Sequence, residues 1–308
     1  MRYTAPRMSK STASFWRTEW PLLLVWPSAA AWFFFGDAWA DALSSVVLAS
    51  GGLAWTAAAI LLAAFSVVRH ADILATRFGE PYGTMILTFA VISLEVLMIG
   101  ALMLQGDQPT LARDTMYSVV MIVLTGLVGV CLLIGGLKFH EQSFNLQGAS
   151  SYLAMILPLA VIGLVLPVFT KSGDRGAFST THAVGLVVLS LAVYAVFLLV
   201  QTRRHRDFFR HPEEEAGLED EHQSSRPTWA HTMLLLAYIV PVVILAKKLA
   251  VVLHYTSEHF GLPDAFDGLV VACLLLAPAG LAAVQAASRN LMQRSVNIVL
   301  GSVSPPLV

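Results

Sequence analysis

Charge is what this sequence has least of. Only 13% of its 308 residues are Asp, Glu, Lys or Arg, while 56% are hydrophobic. A soluble domain carries about 25% charge, so most of this chain must touch lipid or lie between helices. The net charge of −1 and the want of any basic tract give no footing for nucleic acid. Cysteine is nearly absent. Cys131 and Cys273 sit in separate apolar runs, too far apart for a metal motif, and both read as small buried hydrophobes. There is no phosphate-binding loop, no HExxH, no GxSxG in a strand–turn–helix setting and no CxxC, so the chain reads as a non-enzyme without a cofactor. Strand-like alternation is missing too, which excludes a membrane β-barrel.

What is present is a succession of apolar runs long enough to span a bilayer. They fall at roughly 20–36, 43–68, 82–105, 115–137, 151–170, 181–201, 229–255 and 267–288. The expected fold is an all-α polytopic membrane protein of about eight transmembrane helices, with the lipid bilayer as its first partner. Ala38-Trp39-Ala40 imitates a signal-peptidase site, but the next apolar run follows at once, so the first run reads as an uncleaved anchor.

Orientation follows from the basic residues. Arg2, Arg7, Lys10, Arg17, Arg69, Arg77, Lys138, Arg203, Arg204, Arg206, Arg210, Arg226, Arg289 and Arg294 share one side, and only Arg113, Lys171 and Arg175 lie on the other. Such asymmetry predicts a cytoplasmic N-terminus. Lys247 and Lys248, inside the seventh run, are expected to snorkel toward the outer interface. Residues 1–18 form an N-terminal segment, 19–201 a first unit, 202–228 a polar loop and 229–308 a second unit. The loop has a basic start and then EEE and EDE clusters, and reads as a solvated linker or a surface that concentrates cations.

One run carries a carboxylate. In Gly79–Met103, GEPYGTMILTFAVISLEVLMIGALM, a helix beginning near Tyr82 places Glu95 about 20 Å along its axis, close to the bilayer midplane. An ionised carboxylate there costs a few kcal/mol unless it meets a cation, a proton or a polar cavity. Thr84 and Thr88 precede it on nearly the same helical face. The three side chains are the expected cation- and proton-binding set, with Glu95 as the metal-contacting carboxylate. Asp114, Ser118 and Thr125 form a second polar stripe in the fourth run, where Gly135-Gly136 is expected to let helices approach or break. Glu80 stands at the entrance to the Glu95 helix. His70, His140 and Glu141 lie at helix ends and read as interface residues.

Two stretches carry a family resemblance: HADILATRFGEPYGTMILTFAVISLEV, and RDTMYSVVMIVLTGLVGVCLLIGGLKFHEQSFNLQGASSYL. Both resemble the ChaA-type bacterial branch of the calcium/cation:proton antiporters, over about His70 to Gly301. The resemblance implies a leading helix followed by two inverted five-helix repeats, a glutamate from each repeat at the mid-membrane site, and a bacterial inner-membrane location. It implies exchange of Ca2+, or of Na+ or K+, for protons, with Glu95 as the first glutamate and Asn290 as a residue of the second motif. The sequence departs from the pattern at Ala279, where the second glutamate is expected, with Pro278, Gly280, Asn290, Gln293, Asn297, Gly301 and Ser302 keeping the register. The family also continues beyond the point where Ser-Pro-Pro-Leu-Val closes this chain, so the expectation is an incomplete second repeat. The alternative to an active antiporter is a transport-inactive remnant that would need a homo-oligomer or a separately encoded partner.

Overall fold

The structure, a computed structural model, describes residues 18–42, 46–78, 82–104, 111–169, 180–204, 208–209 and 226–303. Every regular element among them is helical. In chain order they are α1 (Leu22–Ala42), α2 (Val46–Phe78), α3 (Tyr82–Met103), α4 (Leu111–Phe139), α5 (Leu146–Phe169), α6 (Thr180–Leu199), α7 (Thr228–His259), α8 (Ala265–Ser288) and α9 (Met292–Gly301). The reason is solvation: hydrocarbon offers no partner to a backbone N–H or C=O, so each spanning segment must satisfy its own. Six helices, α2 and α4 to α8, are long and apolar enough to cross a membrane, and α1 and α3 contribute shorter apolar stretches, Leu22–Gly36 and Phe89–Met103. The chain is a multi-pass membrane protein.

Outward-facing side chains bear this out. Phe34, Phe89, Phe169 and Val188 are all more than half exposed on helix surfaces that suit contact with lipid. Pro27, Pro158, Pro241 and Pro278 lie inside helices, where packing against neighbours lets a span absorb the lost hydrogen bond.

Two buried clusters organise the bundle. The first joins α1, α2, α3 and α7 with Leu111 at the start of α4; the second joins the rest of α4 with α5, α6 and α9. Helix α8 serves both, turning Val271, Leu274 and Leu275 to the first and Ala272, Leu276, Ala283 and Ala287 to the second. The most extensive pairing is α2 with α7. The buried face of α2 is rich in alanine (Ala59, Ala63, Ala64, Ala71), small residues that let neighbouring helices come close. Gly268 of α8 abuts α4 more tightly still: a Cβ there would stand 2.7 Å from the backbone of Asp114 and Thr115.

Several local expectations need correction. Gly135-Gly136 does not break α4, which runs on to Phe139 and ends where His140 turns to φ 64°. Gly135 instead leaves room for the side chain of Gln142 from the turn that follows. Cys131 is buried as expected, but Cys273 is exposed, because it faces away from both clusters that α8 packs against. Lys247 and Lys248 are half-buried, and the Lys248 stem lies along α1 at Gly36, whose missing side chain makes the space. Helix α9 was not among the expected spans. It is too short to cross, and buries Met292, Val296, Val299 and Leu300 along one face.

Candidate functional site

Helix α3 packs against α2 and α7. Its inward face is Ala90, Leu94, Met98, Ala101 and Leu102, while Phe89, Val96 and Leu97 look outward. Glu95 falls on the inward face and is only 3% exposed. Its Oε2 is buried without a hydrogen-bond partner. A carboxyl so placed is satisfied by binding a proton or by meeting a cation, and those two ligands exclude one another. That is the chemistry an exchanger needs. The side chains of Thr84 and Thr88, and the whole of Glu80, lie outside the described residues, so their part in the site stays a sequence expectation. Among the described residues no three His, Cys, Asp or Glu side chains gather as a metal-ion group.

The other residues named from sequence do not gather at Glu95. Asp114 and Ser118 are half-buried near the start of α4, where Asp114 meets the Gly268 end of α8. Thr125 leaves their stripe. A π-turn, Ile122–Leu127, interrupts α4 and shifts the angular register, so Thr125 is exposed and its hydroxyl donates to the Met121 carbonyl at 2.5 Å. Buried Thr115 takes the inward place, with no hydrogen-bond partner for its Oγ1. Asn290 is exposed at φ 64° in the turn between α8 and α9, where its Oδ1 accepts from Gln142 Nε2 at 3.0 Å. It joins that turn to the one between α4 and α5. Gln293 and Asn297 tie the same region to Asn145, Phe208 and Phe209.

A polar cluster that sequence reasoning missed lies at the N-terminal end of α1, the C-terminal part of α2 and the start of α7. Its centre is Glu19, which is fully buried. Arg69 Nη2 donates to Oε2 at 2.7 Å, Tyr238 OH donates to Oε2 at 3.0 Å, and Arg226 Nη1 donates to Oε1 at 2.6 Å. His70 Nε2 stands 3.3 Å from Oε2, and His70 Nδ1 stands 3.0 Å from Nδ1 of His231. Burial pushes the Glu19 carboxyl up from 4.5, but hydrogen bonds from His70 and Arg226 and the charge of Arg69 outweigh it and hold it at about 2. His70, expected to be an interface residue, is 1% exposed and inside an ionic network. The signal in the sequence was a lone carboxylate at the mouth of an apolar run, with two basic helix ends elsewhere to receive it.

A second, smaller cluster sits at the opposite end of α7. Ser257 Oγ donates to Oδ1 of Asp267, which is 2% exposed, and His254 Nδ1 lies 3.9 Å from Oδ2.

The family profile described as sodium/calcium exchanger protein matches residues 48–203. The sodium-potassium/proton antiporter ChaA of Escherichia coli (strain K12) is 44% identical over 79% of this chain and 67% of its own length. The Ca2+/H+ antiporter ChaA of Bacillus subtilis (strain 168) is 24% identical over 62% of this chain and 56% of its own. The chain thus spans about two thirds of the first of these relatives and little more than half of the second. Among solved structures, native YfkE superposes with a TM-score of 0.66 at 19% identity, covering 93% of this chain and 78% of that one. The H+/Ca2+ exchanger CAX superposes with a TM-score of 0.64 at 13% identity, covering 96% and 72%. The likeness to the solved structures shows the fold; the profile match and the 44%-identical relative show that this chain belongs to the sodium/calcium exchanger family.

Proposed function

We infer that this chain is a secondary active antiporter that exchanges a hard cation, Ca2+ or Na+ or K+, for protons across the bacterial inner membrane, with its N-terminus in the cytoplasm. The observation that carries the reading is Glu95: buried in the interior of the α2–α3–α7 packing, midway along a membrane helix, with Oε2 unpartnered. Glu95 binds cation or proton, never both, so release on each side is driven by the competing ion. Thr84 and Thr88 act as neutral oxygen donors, a ligand type that Ca2+ accepts alongside carboxylate. The relatives named as sodium-potassium/proton and Ca2+/H+ antiporters support the class of reaction. The excess of Lys and Arg on the N-terminal side supports the orientation.

One carboxylate balances one monovalent charge but only half of Ca2+. Ala279, half-buried on α8, is the position at which a second glutamate would complete the divalent site. The test is cation-driven proton movement in proteoliposomes for the parent, Glu95→Gln and Ala279→Glu. Exchange in the parent that Glu95→Gln abolishes, at unchanged expression and melting temperature, supports the reading, and Ala279→Glu then shifts preference toward Ca2+. Undiminished exchange in Glu95→Gln overturns it.

A further inference from the structure

We propose that Phe208–Phe209 is an intramolecular latch, a piece of the polar loop seated between α5, α6 and α9 that holds exchange back until it lets go, a role that rests on the antiport reading above. The pair lies just past the end of α6, yet the chain is back against the bundle there. Phe209 is 7% exposed. Its ring meets Tyr152 of α5 at 5.5 Å and Phe197 of α6 at 5.9 Å, both edge to face, and those two rings are 4.9 Å apart. From α9, Asn297 Nδ2 donates to the Phe209 carbonyl at 2.6 Å, and Gln293 Nε2 stands 3.5 Å from the Phe208 carbonyl.

The seat has supports of its own. Gln293 is 1% exposed; its Oε1 accepts from the Asn145 backbone N–H at 2.6 Å, and its Nε2 donates to Asn297 Oδ1 at 3.0 Å. Asn145 in turn caps α5, accepting from the backbone N–H groups of Gln147 and Gly148. The two amides that receive the loop are thus fixed by contacts other than the loop. Gly148 completes the seat, because a Cβ there would overlap the Phe208 carbonyl oxygen. Two amides for two main-chain carbonyls, a glycine notch and a nest for one ring recognise this segment by backbone and side chain together.

The role follows from what the latch joins. Helices α5 and α6 precede the polar loop and α9 follows it, so the seated pair adds a tie between the first part of the chain and the second. Helix α9 is reached from α8 by a short turn, and α8 carries Ala279. Transporters built from paired repeats work by moving one repeat against the other around the site, and a tie across that boundary opposes the movement. This tie is weak enough to release: both carbonyl contacts join uncharged groups, and its apolar part is chiefly one ring. The far end of the loop is held separately, by Arg226 on Glu19, so release frees one end and leaves the other anchored.

The test uses the full chain and two unseating variants. Gly148→Ala fills the notch without altering the loop, at a helical position where alanine is the better helix former. Phe209→Ala empties the aromatic nest. Trypsin acting on the detergent-solubilised protein reads the latch without transport, because cleavage after Arg210 needs the adjoining Phe208 and Phe209 out of their seat. Loss of one buried ring is expected to raise that cleavage at least about tenfold. Cation-driven proton movement in proteoliposomes is expected to rise with it in both variants, up to about tenfold. Damage to the fold would lower exchange, so a rise reports release. Faster cleavage with exchange equal to or below the parent's overturns the restraining role, and cleavage unchanged in both variants overturns the seat. No exchange by the parent or either variant, with cleavage faster, keeps the seat but sinks the antiport reading and the restraint with it.

Discussion

Replacing Glu19 by Gln removes one negative charge at the point where α1, α2 and α7 meet and leaves the side-chain shape nearly unchanged. The magnitude follows from the environment. A carboxyl held at about 2 against an ordinary 4.5 favours its ionised form by some two and a half pH units. At 1.36 kcal/mol per unit this is about 3 kcal/mol of stability at neutral pH. The folded-state value is the lower one, so the contribution is complete above about pH 4.5 and is lost as pH falls through about 2; near pH 3.5 about 2 kcal/mol remains. Thermal unfolding of detergent-solubilised parent and Glu19→Gln at pH 7, 5 and 3.5 should show an equal gap at the first two and a gap smaller by about a third at the last. Because Arg226 holds the same carboxylate, Glu19→Gln with Arg226→Met should cost less than the two changes summed. A variant that melts with the parent at pH 7, or a gap that stays constant to pH 3.5, would refute the reasoning.

Two further outcomes test the packing. Gly268→Ala places a methyl 2.7 Å from the Asp114–Thr115 backbone and must push α8 from α4, an overpacking cost of about 1–3 kcal/mol readable as a lowered melting temperature. A membrane-partitioning maleimide should label exposed Cys273 in the folded protein and spare buried Cys131 until denaturation; equal labelling of both would show that the α8 faces are assigned wrongly.

Much of the architecture was legible because its cause is local. Each of the eight apolar runs lies on a helix, since a run of side chains that lipid can solvate leaves its backbone no other way to hydrogen-bond. The family was legible in the stretches 70–96 and 113–153, and the fold that the resemblance implied is the one the solved exchangers share. Polar accessories were less legible. Asp114, Ser118 and Thr125 lie on one face only if α4 keeps a regular pitch, and the π-turn at Ile122–Leu127 breaks that condition. Asn290 carries a family motif but spends its amide on a turn-to-turn contact with Gln142. Cys273 was expected inside because its neighbours are apolar, yet an apolar residue in a membrane helix is equally at home facing lipid.

What the sequence by itself determined was the solvent of this protein and the place of Glu95 along its own helix, because hydropathy and a rise of about 1.5 Å per residue are properties of a single helix. What only the tertiary structure decided was company. Glu19 meets Arg69 and His70 from about fifty residues away and Arg226 from more than two hundred, and α8 divides its faces between two clusters. No periodicity along one strand of sequence encodes which helix lies beside which, and a buried charge is made stable or costly by its neighbours alone.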